Sequence, residues 1–190
     1  MGNMTRRRNA RARIGGRRAG FSLVEMAIAA VVITVAVCGL SGSVVSSVAL
    51  NRVNHETALA EAAVRGVMEQ VSGANFAQAF ARFNTDPADD PDGAGTAPGA
   101  TFAVVGLTGD AGALPGSVTF PVVAGAGGPQ LREDFADAAL GMPRDLNADG
   151  VVDAMDHSGD YRLLPVRVNV TWRGVSGLRT LMVETLLCAR

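Results

Sequence analysis

The sequence has no lysine, only two cysteines, and one tryptophan and one tyrosine among its 190 residues. Two cysteines allow at most one internal disulfide, which excludes a small scaffold held together by several such bonds. Charged residues make up 18% of the chain and hydrophobic residues 48%, which excludes a wholly disordered or highly charged protein. The length suits one ordinary domain with its own core rather than two.

Motifs that carry catalysis are missing as well. The sequence contains no recognisable nucleophile–base pair, phosphate-binding loop or zinc-ligand spacing, so we expect no enzyme. His55 and His157 lie far apart and are predicted to be surface residues. Cys38 and Cys188 are predicted to remain unpaired, as small apolar residues in buried positions.

Charge is distributed very unevenly along the chain. Residues 1–20 contain seven arginines and no acid, which gives +7, whereas residues 21–190 contain ten arginines and eighteen acids, which gives −8. Met26 to Leu50 then form a run without any charge. As a helix this run would extend roughly 38 Å, enough to cross a hydrocarbon core of about 30 Å. The arginines predict a cytoplasmic N-terminus, with the remainder on the other side of the membrane.

Beyond Leu50 the helical pattern continues, but with one apolar face. Apolar residues recur at three- and four-residue steps as far as Phe83, and charged residues fall largely between them. We therefore predict one long helix from residue 22 to about 83, membrane-spanning over 21–50 and amphipathic over 51–83. Bends are expected at four glycines, each of which lowers helix stability by up to about 1 kcal/mol: Gly39, Gly42, Gly66 and Gly73.

Glu25 is the one charge inside the apolar start of this helix. An acid near the end of a membrane span is either tolerated at the interface or kept for a function, because its desolvation must be offset by a partner. The stretch Gly20-Phe21-Ser22-Leu23-Val24-Glu25 resembles the N-terminal signature of type IV prepilins and type II secretion pseudopilins.

The resemblance covers residues 1 to about 83 and implies a definite processing route. It implies that a prepilin peptidase removes the leader 1–20 by cleaving between Gly20 and Phe21, and that Phe21 is then N-methylated. Glu25 would neutralise the N-terminal ammonium group of an adjacent subunit during assembly. The chain departs from the family in carrying Gly39 and Gly42 where many members have a helix-breaking proline.

Two other export signals share parts of the same segment. Arg17-Arg18 resembles a twin-arginine signal, and Val35-Ala36-Val37-Cys38 resembles a lipoprotein cleavage site in which Cys38 would be lipidated. Val37 is larger than the residue that usually precedes such a cysteine. The apolar run is also long and has an acid near its start, which favours the pilin-like interpretation.

Residues 84–190 are predicted to form a globular head outside the cytoplasm. Asn84–Ala100 is rich in aspartate, proline and glycine and is predicted to be an exposed loop. A short helix is predicted over Gln130–Leu140. Four strands are predicted from apolar runs and from period-two alternation: Thr101–Leu107, Ser117–Ala124, Leu164–Arg173 and Leu178–Cys188. The predicted fold class is α+β, a pilin-like roll in which a long N-terminal helix packs on an antiparallel sheet of about four strands.

Residues 145–156 resemble the calcium loop of EF-hands and dockerin modules. Oxygen ligands in such loops recur at alternate positions, and a glycine permits the sharp turn, here Gly150. The resemblance implies a structural calcium ion, although an acidic solvated turn would have the same composition. Asp156 stands where EF-hands have a bidentate glutamate, whereas dockerin loops commonly have aspartate. The implied ligands are Asp145, Asn147, Asp149, the Val151 carbonyl, Asp153 and Asp156.

Together these features predict a structural minor pilin or pseudopilin of the inner membrane. It would be single-pass, with a cytoplasmic N-terminus and a periplasmic head, and would later join a type II secretion pseudopilus or a type IV pilus. Its expected partners are the prepilin peptidase and other pilin or pseudopilin subunits. No nucleic-acid partner is expected of a mature chain with a charge of −8. The alternative is a single-pass membrane protein that does not polymerise and whose periplasmic domain binds calcium.

Overall fold

The computed structural model describes residues 20–189 and divides the chain into two compact units at Ser46/Ser47. The predicted leader lies outside the described residues except for Gly20. The described helices and strands, in chain order, are as follows: α1 Leu23–Gly73, α2 Phe76–Phe83, β1 Thr101–Phe102, β2 Gly116–Thr119, β3 Val122–Gly125, β4 Gly128–Leu131, β5 Leu163–Gly174 and β6 Gly177–Cys188.

The first half of α1 is exposed on all sides. From Leu23 to Leu50 every large apolar side chain is at least 54% exposed, which a helix packed on a protein core would not show. Helix α1 is long and apolar enough to cross a membrane, judged by its length and composition. These residues therefore have the exposure expected of a segment that lies in lipid or packs against other apolar helices.

The helix predicted to run to about residue 83 is interrupted between Gly73 and Phe76. Helix α1 ends at Gly73, and glycine has the lowest helix propensity of all residue types except proline. Asn75 then begins α2, because its side-chain oxygen accepts a hydrogen bond from the Ala77 N–H at 3.2 Å. The expected bend is thus a break followed by a new, capped helix.

The second unit contains a four-stranded antiparallel sheet in the order β1-β2-β5-β6. Strands β5 and β6 form its longest pair, in register from Leu163 opposite Cys188 to Gly174 opposite Gly177. The second half of α1 packs on this sheet. The predicted fold class, a long N-terminal helix on an antiparallel sheet of about four strands, is therefore confirmed.

The core lies between α1, α2 and the inner face of the sheet. Alternate residues of β5 face inward because successive side chains of a strand point to opposite faces. The buried residues of α1 that pack against them are spaced by four and seven residues, as one face of a helix requires. The contributing residues are Leu164, Val166, Val168, Val170 and Trp172 from β5, Ala60, Val64 and Val71 from α1, and Phe80 and Phe83 from α2.

One buried acid also links α1 to the sheet. Glu56 accepts a hydrogen bond from the Trp172 indole N–H at 3.4 Å and another from Arg52 Nε at 3.3 Å. Arg179 of β6 lies over the Trp172 ring, 5.4 Å from its centroid. The Glu56 carboxylate is thus paired, as a buried charge must be.

Several further expectations differ from the structure. The strand predicted over 101–107 is limited to Thr101–Phe102. The strand predicted over 117–124 is broken at Pro121, which has no N–H to donate to a ladder, and its halves belong to different sheets. The helix predicted over 130–140 is wrong: β4 ends at Leu131, and the Asp137 carboxylate bonds the Ala139 N–H at 3.1 Å in a turn. Cys38 and Cys188 are free, as expected, but both are exposed rather than buried.

Candidate metal centre

The chain between β4 and β5 has no helix or strand of its own. Residues 132–162 are held instead by polar side chains that accept hydrogen bonds from backbone N–H groups, as buried loops require. The backbone of this segment also bonds to itself: the Leu146 carbonyl accepts from the N–H groups of Arg162 and Leu163, and the Leu131 carbonyl accepts from His157. The segment is therefore an ordered part of the head.

Glu133 is the central side chain of this segment and is only 1% exposed. Its Oε1 accepts hydrogen bonds from the N–H groups of Leu146 at 2.6 Å and Asn147 at 3.2 Å. Its Oε2 accepts from the Asp153 N–H at 3.2 Å. One buried carboxylate thus ties both ends of the loop 145–153 to residue 133.

The predicted calcium loop is folded around its own aspartate and asparagine side chains. Asp145 accepts from the N–H groups of Ala148 at 2.6 Å and Gly150 at 2.8 Å. Asn147 accepts from the Asp149 N–H at 3.0 Å, and Asp149 accepts from the Val151 N–H at 2.8 Å. Gly150 has φ +89°, a left-handed conformation that favours glycine.

The Asp153 side chain, at the end of this loop, lies beside two other side chains of types that bind metals. His157 Nε2 lies 3.1 Å from Asp153 Oδ1 and 3.7 Å from Glu133 Oε2. One ligand atom from each of the three residues lies within 4.8 Å of the other two, so the group could hold a metal ion. We refer to these residues as the Glu133–Asp153–His157 cluster.

The electrostatics of the cluster favour a positive charge among its carboxylates. Burial disfavours the charged form of His157, but hydrogen bonds to Asp153 and Asp160 and the charge of Glu133 outweigh it, so the pKa of His157 is raised above 6.5. Hydrogen bonds from the Met155 N–H and from His157 lower the pKa of Asp153 below 3.8. The carboxylates around His157 therefore stabilise a positive charge on its ring.

The structure distributes the predicted calcium ligands over different surroundings. Asp145 and Asn147 are half-buried, whereas Asp149, Val151 and Asp156 are exposed. Asp156 accepts hydrogen bonds from the N–H groups of Leu131 and Ser158, each at 3.1 Å. Among residues 20–189, Asp153 is the one predicted ligand that falls in a group of three or more metal-type side chains.

Two members of the cluster, Glu133 and His157, were not predicted as metal ligands from the sequence. His157 was expected on the surface and is 4% exposed, so that expectation is wrong. Glu133 lay in a segment expected to be a short helix. A local signal was present in the spacing of Asp153, His157 and Asp160, whose side chains meet in the structure. Glu133 is twenty residues from Asp153, and only the folded loop brings it near.

The residues predicted for processing lie at the start of α1. Gly20 is the first described residue, Phe21 is 74% exposed, and Glu25 lies in the first turn of the helix. The Met26 N–H donates to the Ser22 carbonyl at 3.1 Å, so the helical hydrogen bonds begin within this motif, one residue after Phe21. The peptide bond between Gly20 and Phe21 therefore precedes the helix and lies in irregular backbone.

Comparisons with protein-family models, curated proteins and solved structures find no match to this chain.

We predict that Glu133→Gln destabilises the head by about 3 kcal/mol. The amide NH2 that replaces one carboxylate oxygen cannot accept a hydrogen bond from the backbone N–H groups that face it, and the negative charge beside His157 is lost. Unfolding of the detergent-solubilised full chain, followed by the fluorescence of its single tryptophan, Trp172, measures the effect. Glu69→Gln, at an exposed position of α1, is the control and should unfold like the parent chain. Equal stability of the Glu133 variant would contradict the anchoring role.

Proposed function

We propose that this chain is the precursor of a filament subunit, a minor pilin or pseudopilin that assembles through its N-terminal helix. The precursor is inserted in the inner membrane with residues 1–20 in the cytoplasm and its head in the periplasm. A prepilin peptidase cleaves between Gly20 and Phe21, and Phe21 is N-methylated. The mature subunit then joins others of its class in a type II secretion pseudopilus or a type IV pilus.

The observation that carries this proposal is the two-part character of α1. Its first half exposes apolar side chains on every side, and its second half buries one face in a folded head. A helix with both properties can move from a bilayer into an apolar bundle of equivalent helices. The head attached to it remains in water throughout. An exposed apolar helix of this length needs one of these two surroundings.

Glu25 supports assembly over simple anchoring. A carboxylate in the first turn of an apolar helix must be neutralised or paired when it leaves the interface. Cleavage after Gly20 creates an ammonium group at Phe21, four residues before the acid. An ammonium and a carboxylate from neighbouring subunits, each unfavourable alone in an apolar bundle, are tolerated as a pair and fix the axial register between subunits.

The charge distribution supports the proposed orientation. Seven arginines precede the apolar run, and positively charged flanks are retained in the cytoplasm. Cleavage would remove all seven and leave a mature chain of −8, which disfavours any role in binding nucleic acid. The partners of this proposal are therefore the peptidase, the membrane and other subunits.

We predict that Glu25→Ala impairs assembly while leaving membrane insertion intact. Loss of one partner of a buried pair costs about 3 kcal/mol, which corresponds to a decrease in the assembly equilibrium on the order of 100-fold. Subunit ladders after chemical cross-linking of intact cells, together with sheared filament fractions, measure it. Glu61→Ala, an exposed acid of the same helix, is the matched control and should assemble normally.

Two outcomes would instead favour the alternative, a single-pass membrane protein that does not polymerise. One is an unprocessed parent chain that gives no cross-linked ladder. The other is a Glu25→Ala variant that assembles as well as the parent, which would remove the pairing role of this acid.

We further propose that loop 145–156 binds a calcium ion, with a structural role in the head. The support is the chemistry of the side chains: carboxylate and amide oxygens at positions 145, 147, 149 and 153 are the ligands that calcium prefers. The turn they need is already present, with Gly150 in the left-handed region. An extracellular site of this type binds with a Kd of about 10⁻⁴ to 10⁻³ M.

We predict that calcium at about 10 mM stabilises the parent chain by about 1–3 kcal/mol, given such a Kd. The double variant Asp145→Asn, Asp149→Asn should lose this increment, whereas Asp89→Asn, Asp90→Asn in the other acidic loop should keep it. Thermal unfolding with and without calcium is the measurement. Calcium-independent stability of the parent chain would refute the proposed ion.

A further inference from the structure

His157 Nε2 faces two carboxylate oxygens at the same time. Asp153 Oδ1 is 3.1 Å away and Glu133 Oε2 is 3.7 Å away. An imidazole nitrogen carries at most one hydrogen, and that hydrogen points at one acceptor. A divalent cation placed among the three atoms would contact all of them. Both oxygens also accept a backbone N–H, Glu133 Oε2 from Asp153 and Asp153 Oδ1 from Met155, and each keeps a second lone pair that an ion could use.

The distances agree with those between the ligands of a small transition-metal ion. Zinc lies about 2.1 Å from nitrogen and oxygen ligands, so two ligands of one tetrahedral ion stand about 3.4 Å apart. The two measured separations, 3.1 Å and 3.7 Å, lie on either side of this value. The third separation, between the ligand oxygens of Asp153 and Glu133, is within 4.8 Å.

The other imidazole nitrogen is oriented by a separate acid. His157 Nδ1 lies 3.1 Å from Asp160 Oδ1, so that an N–H at Nδ1 donates to this carboxylate. A histidine that binds a metal through one nitrogen commonly donates from the other to a carboxylate, which fixes the ring and raises its basicity. With Nδ1 paired to Asp160, Nε2 is the nitrogen that faces Asp153 and Glu133 and that an ion would bind.

Burial and access are also suited to an ion. His157 and Glu133 are almost fully buried, which shields the ion from water, whereas Asp153 is half-buried and Asp160 is exposed. Asp153 therefore marks the side from which an ion could enter. Three protein ligands leave a fourth tetrahedral position, which a water molecule can fill.

We propose that the Glu133–Asp153–His157 cluster binds one zinc ion, with Asp160 as the residue that positions His157. An imidazole ligand favours zinc and its neighbours over calcium and magnesium, which prefer oxygen ligands alone. The site shares only Asp153 with the calcium loop. Zinc would take Oδ1 of this carboxylate, the oxygen that faces His157, which leaves Oδ2 for the loop. The zinc site does not depend on whether the chain assembles into a filament.

The test is zinc binding by the detergent-solubilised full chain, measured by titration calorimetry in the absence and presence of excess calcium. The parent chain should bind one zinc ion per chain in both conditions. His157→Gln should weaken binding by at least about 100-fold, and Asp160→Asn by about 10- to 100-fold, the effect typical of an outer partner. His55→Gln, at an exposed histidine, is the matched control and should bind like the parent.

Further variants separate this site from other zinc ligands. Cys38→Ser, Cys188→Ser should retain zinc, and so should Asp145→Asn, whose side chain belongs to the calcium loop. If His157→Gln fails to fold, two other measurements test the site. One is the zinc affinity of Asp160→Asn, and the other is the visible absorption of the cobalt-loaded parent chain, which should show no thiolate charge-transfer band. Unchanged zinc affinity in Asp160→Asn, loss of zinc with the cysteines, or displacement of zinc by calcium would each overturn the proposal.

Discussion

The packing of one face of α1 on the inner face of β5 is the contact on which the rest of the structure depends. Ala60, Val64 and Val71 provide the helix side, and the alternating residues of β5 provide the sheet side. This contact closes the core over one face of the sheet. Because the same helix continues without interruption toward Leu23, it also joins the folded head to the exposed apolar segment.

A second constraint concerns charge in places that water does not reach. Glu56 is paired with Arg52 and Trp172, and Glu133 accepts three backbone N–H groups and faces His157. Both acids follow the rule that a buried carboxylate needs partners. In our proposal Glu25 follows the same rule, with the difference that its partner belongs to a neighbouring subunit. A single physical requirement thus links the fold, the candidate metal centre and the proposed assembly.

The parts of the fold that periodicity encodes were predictable from the sequence. The alternation in β5 and the apolar steps of α1 gave the helix, the long strand pair and the fold class, because each pattern reflects one buried face. The break at Gly73 was expected only as a bend, since propensity does not reveal that Asn75 caps a second helix. Of the three residues in the Glu133–Asp153–His157 cluster, only Asp153 was identified from the sequence, as a calcium ligand in its local motif. Glu133 and His157 were not identified, because their burial depends on how an irregular loop folds back.

The central claim is that α1 begins a processed filament subunit, and the mass of the mature N-terminus tests it most directly. Mass spectrometry of the chain isolated from its own cells should find N-methylated Phe21 as the first residue, with residues 1–20 removed. An intact leader, or a chain that begins at a lipidated Cys38, would contradict the account.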